Sequence, residues 1–142
     1  MRVTDGRHRS GHSYLTPDGP TPSYAVDMTT RIDKPWGYEL LWTHTDRYAG
    51  KVIHIDAGKR LSLQYHDDKH ESVLVVSGEL ILHLGRGEDA TTERLVAGAS
   101  ADIPAGRIHR FEAPAEGDVE IIEVSTPELD DVVRLEDDYH RT

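Results

Sequence analysis

Gln64 and His66 stand two residues apart, Glu71 follows five residues after the histidine, and His109 comes later, behind a Pro104-x-Gly106 turn. Together they offer an amide oxygen, two imidazole nitrogens and one carboxylate. That donor set suits one divalent ion of the hard-to-borderline class: Zn²⁺, Mn²⁺, Fe²⁺, Co²⁺ or Ni²⁺. An ion so held keeps positions open for water or for a substrate carbonyl and its neighbouring hydroxyl. Binding there polarises the carbonyl and acidifies the adjacent C–H, which is what aldose–ketose isomerisation through an enediol requires. A base must then move the proton. Lys51 and His54 lie on a strand ahead of the first pair of ligands and are the candidates, but they fall on opposite faces, so at most one points inward.

The elements that must position these groups are strands. Residues two apart on a strand share a face, so Ser62, Gln64 and His66 fall together and Leu61, Leu63 and Tyr65 fall opposite. Asp67, Asp68 and Lys69 break the pattern, and Glu71 opens a second, β-branched run, so a hairpin-like return brings Glu71 beside the first two donors. Further strands are predicted near 38–43, 50–56, 60–66, 71–77, 79–85, 91–95, 100–103, 108–112 and 118–125, punctuated by Gly58, Gly78, Gly85, Gly98, Pro104 and Gly106. Within that span no stretch repeats its apolar residues at the helical period. Many short strands without helices mean an all-β sandwich or closed barrel.

If the donors face the interior, Leu61, Leu63, Tyr65, Leu74 and Val76 face outward. An apolar band of that extent needs a cover, and a homodimer joined sheet to sheet is the simplest one, with the N-terminal segment as the competitor. Residues 1–29, rich in Gly, Pro, Ser, Thr and charge, read as a flexible N-terminal arm, and 30–142 as one barrel domain with a C-terminal tail. In that tail Val132, Val133, Leu135 and Tyr139 stand among acidic residues, as a short helix or an extended strap.

Composition narrows the partners. The 142 residues carry 16 Lys and Arg against 26 Asp and Glu, a formal net charge of −10, which opposes nucleic-acid binding. There is no cysteine, so disulfides, thiolate metal sites and cysteine nucleophiles are excluded. No apolar run approaches a membrane span and the first fifteen residues hold no apolar signal core, so no membrane partner and a cytoplasmic location are expected.

The donor residues also fit a known pattern. Gly58, five residues, Gln64-x-His66, four residues, Glu71, six residues, Gly78 is one half of it. Gly98, five residues, Pro104-x-Gly106, two residues, His109 is the other. The two halves resemble the paired motifs of the cupins, which implies a double-stranded β-helix, jelly-roll-like barrel. Gln64 stands where the first histidine is usual, and Ala113 where an asparagine is.

Longer stretches resemble one cupin branch, the mannose-6-phosphate isomerase domain (type II) that closes bifunctional mannose-1-phosphate guanylyltransferase/mannose-6-phosphate isomerases. They are Lys34-Pro35-Trp36-Gly37-Tyr38, LSLQYH at 61–66, VVSGE at 75–79, IPAGRIHRFE at 103–112, IIEVSTPEL at 121–129 and VVRLEDDYHR at 132–141. The resemblance implies a divalent metal on Gln64, His66, Glu71 and His109, and a role for Arg134 and Arg141 in the isomerase site. A guanidinium fork is a natural partner for a sugar phosphate. Asp67-Asp68, Ser72-Val73 and His140 depart from the branch's pattern.

The function expected is that of a metal-dependent isomerase or epimerase of a small phosphorylated sugar. Two alternatives use the same barrel: an Fe²⁺-dependent dioxygenase acting on a small organic molecule, and a non-catalytic cupin that binds a sugar or metabolite.

Overall fold

The structure is a computed structural model that describes residues 29–142. The arm expected over 1–29 lies, apart from Thr29, outside the described residues. From Thr30 the chain forms strands β1 (Thr30–Lys34), β2 (Gly37–His44), β3 (Ala49–Ile55), β4 (Leu63–Tyr65), β5 (Glu71–Ser77) and β6 (Glu79–Leu84). It continues with β7 (Thr91–Val96), β8 (Ser100–Ile103), β9 (His109–Glu112), β10 (Val119–Ser125) and β11 (Val133–Glu136). One turn of 3₁₀ helix, Gly87–Asp89, is the only helical element among the described residues. None of their helices is long and apolar enough to cross a membrane.

All pairings are antiparallel and make two sheets, β1-β2-β3-β10-β5-β8 and β11-β4-β9-β6-β7. The neighbours β3 and β10 lie far apart in sequence, as do β4 and β9. This is the expected double-stranded arrangement, with the inner faces of the two sheets enclosing the core. Alternation decides what goes inside: along β10, Val119, Ile121, Glu123 and Ser125 are buried, while Glu120, Ile122 and Val124 are not. Ile53, Ile55, Val73, Val75, Leu80, Leu82, Ile103, Phe111 and Ile121 fill the middle and Trp36 joins them. Burying each of the larger ones is worth about 1.5–3 kcal/mol.

Two glycines are fixed by backbone geometry. Gly37 ends the hairpin turn after Trp36 at φ 151°, where a Cβ would sit 2.0 Å from the carbonyl oxygen of His54. Gly78, between β5 and β6 at φ 77°, would press a Cβ to 2.3 Å from the carbonyl oxygen of Asp118. Neither place admits a side chain.

Three expectations need correction. An extra strand, β1, precedes the Pro35-Trp36 turn, although its first four residues are exposed and carry no buried-face pattern. The strand expected over 60–66 is regular only over Leu63–Tyr65, so alternation cannot be extended back to Leu61 and Ser62. Both are buried, as is Leu63, which lies opposite Glu136 of β11. The outward band therefore keeps Leu74 and Val76 but loses Leu61 and Leu63. Of the two forms open to the tail, the extended strap is the one observed, since β11 pairs with β4.

Candidate active site

Three neighbouring strands change character at the same end of the barrel. Along β3 the inward residues run Ile55, Ile53, Lys51; along β10 they run Val119, Ile121, Glu123, Ser125; along β5 they run Val75, Val73, Glu71. Register then sets Lys51 opposite Glu123, and Glu71 opposite Ser125. The core thus gives way to charge, and above it lies a cavity of about 100 Å³. Cations of the lining are Lys34, Lys51, Lys69, Arg134 and Arg141, facing Glu39 and Glu123. In a chain of net charge −10, such a concentration of cations is local design.

His66 lines this cavity and meets Glu71 and His109, all three buried, with one donor atom of each within 4.8 Å of the others. Their separation in sequence is closed by two contacts between the motifs. The Gly106 amide donates to the His66 carbonyl at 2.7 Å, and Gln64 of β4 lies opposite His109 of β9. His109 Nδ1 donates to the Arg107 carbonyl at 2.8 Å, and His66 Nδ1 donates to the carbonyl of Asp131. A carbonyl only accepts, so in each neutral ring the proton sits on Nδ1 and the lone pair on Nε2.

Those lone pairs converge on Glu71. His109 Nε2 is 2.8 Å from Glu71 Oε1, and His66 Nε2 is 3.5 Å from Oε2. The closer contact is not angled as a hydrogen bond: His66 Nε2, His109 Nε2 and Glu71 Oε1 are all buried without a partner. Three acceptor-type atoms turned toward one point fit a cation. Without one, positive charge has to come from elsewhere. Burial works to raise the Glu71 carboxyl, but His109 and His66, when their rings also carry a proton on Nε2, and the Lys69 ammonium outweigh it and hold it well below the ordinary range.

Gln64 lines the same cavity, its carbonyl oxygen accepting from the Ser62 hydroxyl at 2.7 Å. That leaves the oxygen's second lone pair. Of the two base candidates the structure brings only Lys51 to the cavity, where it pairs with Glu39 at 3.1 Å. His54 is on the outer face of its sheet, stacked on Tyr38 at 4.8 Å between ring centres and 3.2 Å from Asp118. Its ring does not line the cavity. Alternation had separated the pair; pairing of β3 with β10 decides which faces in.

Both tail arginines reach the cavity, with different freedom. Arg141 forks onto Asp137 at 2.9 and 3.0 Å and holds that carboxyl at about 2. Arg134 gives one nitrogen to the Thr142 carbonyl at 2.7 Å, and its Nε is buried without a partner. Trp36 Nε1, in the same lining, is likewise an unpartnered donor. Asp67 and Asp68 are exposed and absent from the lining, so this departure from the branch's pattern does not touch the cavity.

Sequence reasoning missed Lys69 and Glu123. Lys69, only 5% exposed, bridges Glu71 Oε2 at 3.0 Å and Glu123 Oε1 at 3.2 Å. Burial works to lower the ammonium's pKa, but the two flanking carboxylates prevail and raise it. Burial and the like charge of Glu71 push the Glu123 carboxyl up to about 6, against the pull of Lys69 and Lys51. A signal for Glu123 was present, a carboxylate at inward parity within an apolar run. Lys69 gave none, because it sits in what reads as a polar turn.

Residues 23–137 match the family described as "Mannose-6-phosphate isomerase C-terminal". Xanthan biosynthesis protein XanB of Xanthomonas campestris is 36% identical over 115 residues, covering 79% of this chain and 24% of that protein. Alginate biosynthesis protein AlgA of Pseudomonas aeruginosa is 37% identical over 114 residues, covering 78% of this chain and 23% of AlgA. The mannose-1-phosphate guanylyltransferase of Escherichia coli is 35% identical, covering 78% and 23%. The chain thus spans about a quarter of the length of the curated relatives it matches. Among solved structures, capsular polysaccharide assembling protein CapF of Staphylococcus aureus superposes with TM-score 0.69 at 22% identity, covering 82% of this chain and 37% of CapF. Oxalate decarboxylase of Bacillus subtilis gives 0.65 at 17%, covering 75% and 30%. These likenesses establish the cupin double-stranded β-helix.

Proposed function

Because the chain belongs to the mannose-6-phosphate isomerase C-terminal family, we propose that it is a metal-dependent isomerase of a small phosphorylated sugar. One observation carries the reading: unpartnered acceptors on His66, Glu71 and His109 converge beside a cavity that His66 lines, and the same cavity holds unpartnered donors on Trp36 and Arg134. The first group calls for a cation and the second for an oxygen-rich anion. A sugar phosphate beside a divalent ion satisfies both.

His66, Glu71 and His109 hold the ion, with Gln64 as the fourth ligand. When bound, the ion polarises a substrate carbonyl and so acidifies the neighbouring C–H. Arg134 anchors the phosphate with Lys34 nearby, and Trp36 Nε1 donates to a sugar oxygen. Arg141 acts mainly by fixing the strap through Asp137. Lys51, paired with Glu39 at the cavity surface, is the residue placed to take and return the proton.

Arg134→Ala tests the anion site. A phosphorylated sugar should bind about 1.5–3 kcal/mol more weakly to the variant, the usual worth of a charge-assisted hydrogen bond, while its unphosphorylated parent is unaffected. Metal content and melting temperature should hold. Equal affinity of the wild type for the two sugars would reject the phosphate role and favour an oxygenase or a binding protein. A screen of sugar phosphates, run with and without oxygen, separates those two.

The chain acts as a homodimer joined through the outer face of the larger sheet. On that face Leu74 is 42% exposed, Val76 and Val124 47% each, and Trp42, whose ring covers Gly50, 42%. Leu40, Val52, Ile122 and Leu74 form one row across it. Leu74→Glu should halve the mass seen by light scattering. A wild type already monomeric at tens of micromolar, roughly where a standard interface holds together, contradicts the dimer.

A further inference from the structure

We propose that Asp131, from the C-terminal strap, is the positioning residue of the metal site, holding His66 and the loop that carries the chain to Glu71 in ligating geometry. This rests on the metal reading above and adds a residue outside the ligand set. The Asp131 carbonyl is the acceptor for His66 Nδ1, and its carboxylate accepts from three consecutive amides: Asp67 at 2.9 Å, Asp68 at 2.7 Å and Lys69 at 2.8 Å. Those amides belong to the link between His66, just beyond β4, and Glu71, the first residue of β5. One residue therefore fixes the tautomer of one ligand and the path to the next.

It arrives there because β11 pairs with β4, Val133 opposite Tyr65 and Arg134 opposite Gln64. A carbonyl at Nδ1 keeps the proton there and frees the Nε2 lone pair. If the strap leaves, the imidazole loses that acceptor and the loop amides lose theirs. Strap docking and ion binding then favour the same state, and each stabilises the other.

The test uses the full chain, stripped with chelator and titrated with Co²⁺ alone, its ligand-field absorption reporting the coordination sphere. Asp131→Ala keeps the backbone carbonyl on His66 and removes the acceptor of the three loop amides, so it should bind Co²⁺ about 10-fold more weakly, the low end of the cost of losing outer hydrogen bonds, with an altered spectrum. Asp131→Asn, which keeps one acceptor oxygen, should recover part of the affinity. Wild-type affinity and spectrum in Asp131→Ala would overturn the proposal. Should that variant not fold, nitrogen NMR of the metal-free wild type at about pH 8, above the ordinary imidazole range, decides it. A proton on His66 Nδ1 is expected, and one on Nε2 overturns the proposal. A wild type that takes up no Co²⁺ removes the metal reading itself. If instead the wild type binds and Asp131→Ala matches it, the role of Asp131 alone falls.

Discussion

Replacing His66 and His109 together by alanine should take the chain from one bound divalent ion to essentially none, measured by elemental analysis after gel filtration. The two substitutions remove both imidazoles and leave one carboxylate and one amide, too few donors to hold a borderline ion against water. Each single substitution should lose most of the ion, since each removes a ligand whose other nitrogen is already oriented by a carbonyl. Fold should survive, because neither histidine belongs to the apolar core cluster. Full occupancy in the double variant would show that the ion, if bound, sits elsewhere. The cluster of His54, Asp56 and Asp118 on the outer face is the other such group among the described residues.

The second large effect is expected at Lys69. Lys69→Met removes the one ammonium that bridges Glu71 and Glu123, both buried. Breaking a buried pair from one side typically costs about 3–5 kcal/mol, because the remaining charge is left without compensation. In metal-free protein the urea midpoint should fall accordingly, with the slope unchanged. The charges also dictate how the loss can be relieved. Glu123, already pushed up to about 6, should become neutral once Lys69 is gone. Lys69→Met with Glu123→Gln should therefore be milder than Lys69→Met alone. Glu71 remains as the uncompensated charge, and a divalent ion should restore part of the stability. An unfolding free energy within a few tenths of a kcal/mol of wild type would mean that water reaches this pair and screens it.

Much of the fold was legible in the chain because the signals involved are short in range. The two-residue alternation of β10, β5 and β6 announces strands with one buried face, and Gly37 and Gly78 mark turns that a side chain would block. The spacing of Gln64, His66 and Glu71 on either side of one loop placed three donors together before any coordinates. Family patterns added His109, and the structure places it with His66 and Glu71.

The rest waited on contacts between distant residues. Alternation separated Lys51 from His54, but only the register of β3 against β10 turned Lys51 inward. Leu61 and Ser62 obeyed no alternation because regular strand geometry begins only at Leu63. Lys69 reads as part of a polar turn until its ammonium is seen between Glu71 and a carboxylate 54 positions away in numbering, Glu123. Asp131 reads as one acid in an acidic tail until β11 pairs with β4 and sets its carbonyl on His66, 65 residues distant. The sequence by itself determined an all-β barrel and the residues of the metal site proposed for it. Tertiary structure alone decided which charges are buried against one another, because burial and pairing depend on long-range register, and no local period encodes that.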